Sequence, residues 1–214
     1  MLQDLMTAFE EAKNPQIAAE QAAYMKNRFP FLGLKAPLRR AIQKKVFTPP
    51  ENLEETLQAL WKMPEREYTY AALDLAVRYR KKIHHLPFIK SLIESHSWWD
   101  SVDILASNVL GYFVEANPKH LETMDQWIED DNFWVRRSAL LCQLKWKKNT
   151  DHTRLFAYCK KCAHESEFFI RKAIGWALRE YSKSAPEAVQ QFISENRSKL
   201  SPLSLREGSR HLNK

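Results

Sequence analysis

Apolar residues along this chain return at spacings of three and four, the period of an amphipathic helix, and nothing in it reads as a sheet. The strongest segments cover residues 65–82, 98–116, 131–147 and 167–183. In the third, Trp134, Ala139, Leu140, Leu144 and Trp146 recur among Arg136, Arg137, Lys145, Lys147 and Lys148. In the fourth, Phe169, Ile170, Ala173, Ile174, Ala177, Leu178 and Tyr181 do the same. Shorter patterns at 85–97, 118–130 and 151–163 lie between them. Residues 2–12, 16–29, 36–47 and 51–62 fill the front, and 186–199 and 201–211 close the chain. About thirteen helices result, and the 10 prolines fall where helices should end.

Aligning the strong segments exposes a repeat. Ala72, Ala106, Ala139 and Ala173 stand 34, 33 and 34 residues apart, and Leu75, Val109, Cys142 and Trp176 follow each by three. A small residue at fixed phase lets helices approach closely, and a two-helix unit of this length implies an α-solenoid of antiparallel helix pairs. If the aligned helices line its concave face, Tyr70, Asp103, Arg136, Arg137, Arg171 and Lys172 should lie near one another along a basic, aromatic groove. The chain is expected to form one domain, 1–214.

Composition removes several classes. The 4 glycines are scattered, so no loop can bring clustered backbone amides to a phosphate as Rossmann and P-loop folds do. Cys142, Cys159 and Cys162 are too few for a disulfide framework. Cys159 and Cys162 have no second ligand pair for zinc and no βαβ context for redox work, so no metal or cofactor is expected. The start Met1-Leu2-Gln3-Asp4 does not read as a signal peptide, and no run of 18 apolar residues suggests a membrane span. The cytoplasm is the default expectation, as a monomer.

Charge adds direction. The chain carries +7, but residues 131–214 hold 17 basic and 8 acidic residues, a net of +9. Such asymmetry suits a polyanionic partner, although a solvated basic surface accounts for it as well. The most unusual segment is Ser97-Trp98-Trp99-Asp100-Ser101-Val102-Asp103. Ser97 with Asp100 three residues on suggests a capping box. Trp99 and Asp103, four apart, share one helix face, which leaves Trp98 for the core. Asp103 reads either as a surface acid in a salt bridge or as a catalytic carboxylate beside an indole. Arg137, one repeat later, can ion-pair with it or hold a phosphate.

These residues carry a resemblance. Trp99-Asp100-Ser101-Val102-Asp103, then Trp134-Val135-Arg136-Arg137-Ser138-Ala139-Leu140-Leu141, then the run Ile170-Arg171-Lys172-Ala173-Ile174-Gly175-Trp176-Ala177-Leu178-Arg179-Glu180-Tyr181 resemble signature segments of the AlkD-type DNA alkylation repair glycosylases. Tyr24-Met25-Lys26-Asn27-Arg28-Phe29-Pro30-Phe31-Leu32-Gly33 is similar to that family's N-terminal motif. The blocks keep the family's order. The resemblance implies a HEAT-like fold and excision of positively charged N3- or N7-alkylated purines from duplex DNA, without a cofactor. It implies Asp103 as the catalytic carboxylate, Trp99 and Trp176 as indoles lining the lesion site, and Arg137 as a backbone-binding arginine. Tyr24, by the same resemblance, and Arg136, Arg171, Lys172 and Arg179 are expected to be further DNA-binding residues. Competing readings are a non-catalytic HEAT-like protein that recognises DNA structure and a protein-binding helical scaffold. The first should lack the acid or the indoles, and the second should show no salt-sensitive affinity for duplex DNA.

Overall fold

The computed structural model describes residues 2–212, and these are helical with no strand among them. Contacts divide the chain into two compact units, Met1–His84 and His85–Lys214.

The first unit holds α1 (Leu2–Glu11), α2 (Pro15–Tyr24), α3 (Ala36–Val46), α4 (Leu53–Trp61) and α5 (Arg66–Arg78), with a 3-10 turn at Arg80–Lys82. Its core is made by Leu5, Phe9, Leu57, Leu60, Tyr68 and Leu75, each 2% exposed or less. The predicted helix 16–29 stops at Tyr24, because Lys26 and Asn27 take φ of 56° and 54° and turn the chain out of the helix. The loop beyond is tied down by Glu67 on α5, whose buried carboxylate accepts the backbone N–H groups of Leu32, Gly33 and Leu34 at 3.0, 2.9 and 3.0 Å. Gly33 has φ of 90°, and a Cβ there would stand 2.1 Å from the Asn14 carbonyl oxygen, so only glycine fits.

The second unit begins with α6 (Leu86–Glu94). Three segments then run on without leaving right-handed helical angles: Trp99–Ile104, a π-helical stretch Leu105–Leu110, and Gly111–Ala116. Together they form α7. It is followed by α8 (Leu121–Trp127), α9 (Phe133–Leu141), α10 (His152–Lys161), α11 (Phe168–Ser182), α12 (Pro186–Glu195) and α13 (Pro202–Gly208). Counted this way, the described residues contain the expected thirteen helices.

The four phased alanines behave as the repeat requires. Ala72, Ala106, Ala139 and Ala173 are all 1% exposed or less. The prolines act differently from the expectation. Pro15, Pro37, Pro87, Pro118, Pro186 and Pro202 occupy the first turn of the helical segment they introduce, where a missing N–H leaves nothing unsatisfied. They start helices rather than end them.

Two other expectations are corrected. Ser97 does not cap α7, since its hydroxyl donates to the Ile93 carbonyl at the end of α6. Trp98 is the N-cap residue and offers no side-chain cap. The predicted helix 131–147 ends at Leu141, and the remaining residues fold into turns. Two side chains explain this. The Gln143 amide exchanges hydrogen bonds with the backbone of Asp151, at 2.7 and 3.3 Å, and the Trp146 indole N–H donates to the Gly111 carbonyl at 3.0 Å.

Candidate functional site

The acid singled out in the sequence lies at the last turn of ordinary α-helix before the π-helical stretch of α7. Ser107 follows it by four residues, and its hydroxyl donates to the Asp103 carbonyl oxygen at 2.7 Å. Asn108 donates to the Ile104 carbonyl at 3.2 Å. Further along, Gly111 passes so close to the next repeat that a Cβ would stand 2.2 Å from the Cys142 carbonyl oxygen. Wide π turns of this kind re-aim the side chains around them.

Asp103 faces Arg137 of α9. The guanidinium grips the carboxylate with a fork of two bonds, Nε to Oδ1 at 2.7 Å and Nη2 to Oδ2 at 2.8 Å. The arginine side chain is 3% exposed and the aspartate side chain 15%, so a buried cation holds a mostly buried acid that keeps a small opening to solvent. The remaining Arg137 nitrogen donates to the Phe169 carbonyl, and its Cζ lies 5.8 Å from the Phe169 ring centroid. Burial moves the Asp103 carboxyl above the usual aspartate value, against the pull of the Arg137 hydrogen bonds and charge.

Aromatic packing sets this arginine in place. Trp98 is 6% exposed and Trp134 is 7% exposed, and both pack on the Phe169 ring, with centroids 5.2 and 4.9 Å away. Trp99, four residues before Asp103 on α7, is only partly buried. The tandem indoles therefore differ in burial: Trp98, on the extended N-cap residue, enters the core, while Trp99, the first residue of α7, stays partly open.

On α11 the partly open residues Phe169, Lys172 and Glu180 and the exposed Lys183 each fall within about 40° of Trp176 at 100° per residue, and with it they form a strip along one face. The buried Ile170, Ala173, Ile174, Ala177 and Leu178 take the other side. Trp176 thus shares its strip with Phe169, the residue that anchors Arg137.

The other cations that the sequence singled out for DNA in the second unit, Arg136, Arg171, Lys172 and Arg179, are held by protein acceptors. Arg136 forms a fork on Glu165 at 3.0 and 2.6 Å, and Arg171 donates to the Glu165 carbonyl at 2.8 Å. Lys172 and Arg179 share Glu207 of α13 at 3.0 and 2.8 Å. The Lys172 hydrogen bond is the largest cause holding the Glu207 carboxyl below its usual value. Two residues fall in the first unit. Tyr24 ends α2 and is 75% exposed, while the Tyr70 ring lies under Arg39 and Arg66, with Cζ atoms 5.0 and 5.9 Å from its centroid.

Phe169, Glu165 and Glu207 escaped the sequence reading. Phe169 entered it only as a core position. Glu207 follows Lys172 by 35 residues, one repeat on, so the spacing that pairs Asp103 with Arg137 was the available signal. Cys142, Cys159 and Cys162 are buried free thiols. Among the described residues no group of His, Cys, Asp or Glu could hold a metal ion, and no helix is long and apolar enough to cross a membrane.

Phased alanines, packed helices and an acid gripped one repeat later define a helical-repeat protein with a buried guanidinium forked onto a carboxylate at Asp103. Residues 5–212 match the family described as DNA alkylation repair enzyme, and the chain belongs to that family. It is similar to a structure from Enterococcus faecalis described as a predicted DNA alkylation repair enzyme, with 38% identity over 94% of this chain and 97% of that one and a TM-score of 0.85. AlkD2 from Streptococcus mutans shares the fold at 18% identity, covering 92% of this chain and all of its own, with a TM-score of 0.63. The smu.31 protein from Streptococcus mutans UA159 does so at 18% identity over 81% and 90%, with a TM-score of 0.62. No curated protein matches.

Proposed function

We propose that this protein is a monofunctional DNA glycosylase that removes positively charged N3- or N7-alkylated purines, of the 3-methyladenine and 7-methylguanine type, from duplex DNA. The whole chain acts as one cofactor-free catalytic domain and monomer in the cytoplasm. The observation that carries the reading is Asp103, a mostly buried carboxylate with a small opening to solvent, held by a buried arginine on the same helix face as the partly buried Trp99. Membership of the DNA alkylation repair enzyme family supports it.

The chemistry suits such a centre. An alkylated purine of this type already carries positive charge, so the C1′–N bond can break with its electron pair passing to the purine, which leaves neutral. The sugar becomes an oxocarbenium-like cation that a nearby carboxylate stabilises. Water then adds to C1′ and gives up a proton. Arg137 occupies one lone pair on each Asp103 oxygen, and each oxygen keeps another for the sugar or the water. Indole faces at Trp99 and Trp176 attract cationic bases and sugar C–H groups. Tyr24, Arg136, Arg171, Lys172 and Arg179 supply sequence-independent contacts to the backbone.

The test is base release from duplex DNA carrying 7-methylguanine, with excess enzyme. Free 7-methylguanine at a rate well above spontaneous depurination is expected. Intact DNA binding with no base release would remove the reading.

A further inference from the structure

Further along the Trp176 strip of α11, the chain encloses a cleft of about 500 Å3. Leu144, Leu155, Ala177 and Tyr181 supply apolar wall, and Lys145, Lys147 and Lys183 stand around it, all exposed. Lys183 follows Trp176 by two helical turns on the same strip, a rise of about 10 Å.

This cleft differs from the rest of the site in its charge balance. Asp103, Glu165 and Glu207 each meet the arginines and lysines around them. In the cleft only Glu180 is acidic, and it is taken by Lys183 at 2.7 and 2.6 Å. Lys145 instead donates to a neutral amide, Asn108 Oδ1. No carboxylate among the described residues lies within ion-pair distance of Lys145 or Lys147. Complementing a helix C-terminus does not explain Lys147, which comes six residues after α9 ends at Leu141.

The backbone also sets Lys147 deliberately. It has φ of 53°, a conformation that a side chain bearing Cβ adopts at a cost of about 1–2 kcal/mol. Strained residues persist where their surroundings fix them. Here the Trp146 bond to Gly111 and the Gln143 exchange with Asp151 pin the turn on both sides. The turn therefore fixes the point at which the Lys147 side chain leaves the backbone beside the cleft, and its ammonium is left free to meet an anion there.

We propose that this cleft is a second phosphate subsite of the DNA-binding face, which takes a backbone phosphate other than the one nearest Asp103. The inference rests on the DNA-binding half of the proposed function and is independent of base release.

The experiment compares the wild type with the triple variant K145Q/K147Q/K183Q on an undamaged duplex over a range of salt concentrations. The three lysines are exposed, and circular dichroism should show the helical signal retained. The triple variant should bind at least about 10-fold more weakly at low salt, and its log–log salt slope should be shallower by about one to two. Equal affinity and slope in both proteins would overturn the subsite, as would a wild type that binds no duplex. A third arm titrates deoxyadenosine 5′-monophosphate. If the wild type binds it and the triple variant loses only that binding, the cleft serves a free nucleotide and the DNA subsite is wrong. Salt-sensitive binding that weakens in the triple variant, alongside a wild type that releases no 7-methylguanine, would keep the subsite and remove the glycosylase reading.

Discussion

Asp103 and Arg137 are 34 residues apart in sequence and joined by two hydrogen bonds of 2.7 and 2.8 Å. The separation is one structural repeat, so the solenoid itself brings acid and base together. Arg137 cannot leave easily, because Phe169 holds its third nitrogen and Trp98 and Trp134 pack behind Phe169. The aspartate is the partner that meets solvent.

Replacing the acid is the most direct consequence to measure. Asp103→Asn keeps the size but removes the negative charge, and base release from 7-methylguanine DNA in single-turnover conditions should fall by at least about 100-fold. DNA affinity should remain within a few-fold of the wild type. A variant that released base at the wild-type rate would show that the carboxylate does something else.

The acid's ionisation gives a second handle. Burial raises the Asp103 carboxyl above the ordinary aspartate value. The ionised form is the one that stabilises the sugar cation, so kcat/KM should fall as pH is lowered through this raised value, and it should do so at a higher pH than an ordinary aspartate would give. The same limb should be missing from the residual activity of Asp103→Asn. A pH profile of kcat/KM for both proteins checks this.

Arg137 should matter for folding as well as for the site. Arg137→Ala leaves a mostly buried carboxylate without its cation, and unfolding in urea should show a loss of about 3 kcal/mol. Arg137→Lys retains the charge but has no fork to match both oxygens, so about half that loss is expected. Equal stability of all three proteins would mean that the fork contributes nothing in solution.

Much of this arrangement could be read before any coordinates. The alanine phase gave the repeat, the repeat put Arg137 opposite Asp103, and helical phase divided Trp98 from Trp99. What escaped was long-range and backbone-borne. The predicted cap at Ser97 failed for a local reason: its hydroxyl donates four residues back to the end of the preceding helix, a competing bond that Ser allows as readily as a cap. The end of α9 at Leu141 depends on Gln143 meeting Asp151 and Trp146 meeting Gly111, across loops and repeats. The π-helical stretch leaves no mark in the apolar period, which looks like ordinary helix. The internal partners of Arg136, Lys172 and Arg179 came from Glu165 and Glu207, acids that the sequence reading did not single out.

Gly111 should be intolerant of the smallest addition. In Gly111→Ala the new methyl meets the backbone oxygen of Cys142 at 2.2 Å, and backbone cannot rotate aside as a side chain can. A loss of about 2–3 kcal/mol is expected, from overpacking between α7 and the end of α9. Alanine normally favours a helix over glycine by about 1 kcal/mol, so a stabilised variant in thermal unfolding would show that the close approach is absent.

Glu67 offers a test in the first unit. Its carboxylate accepts three backbone N–H groups from Leu32, Gly33 and Leu34, within the segment that follows Tyr24, and it is fully buried. Glu67→Ala would leave three buried donors without an acceptor, and each such group costs about 1–3 kcal/mol. Stability should therefore fall by at least about 3 kcal/mol. Glu67→Gln retains the carbonyl oxygen that serves two of the donors, but it turns an N–H toward the third. Its loss should be smaller than that of the alanine variant yet clearly measurable. Hydrogen exchange then separates the clamp from a general loss of packing: the amides of Leu32, Gly33 and Leu34 should lose protection in Glu67→Gln while those of α4 keep theirs. Uniform loss across the unit would mean that Glu67 supports the core as a whole rather than the loop.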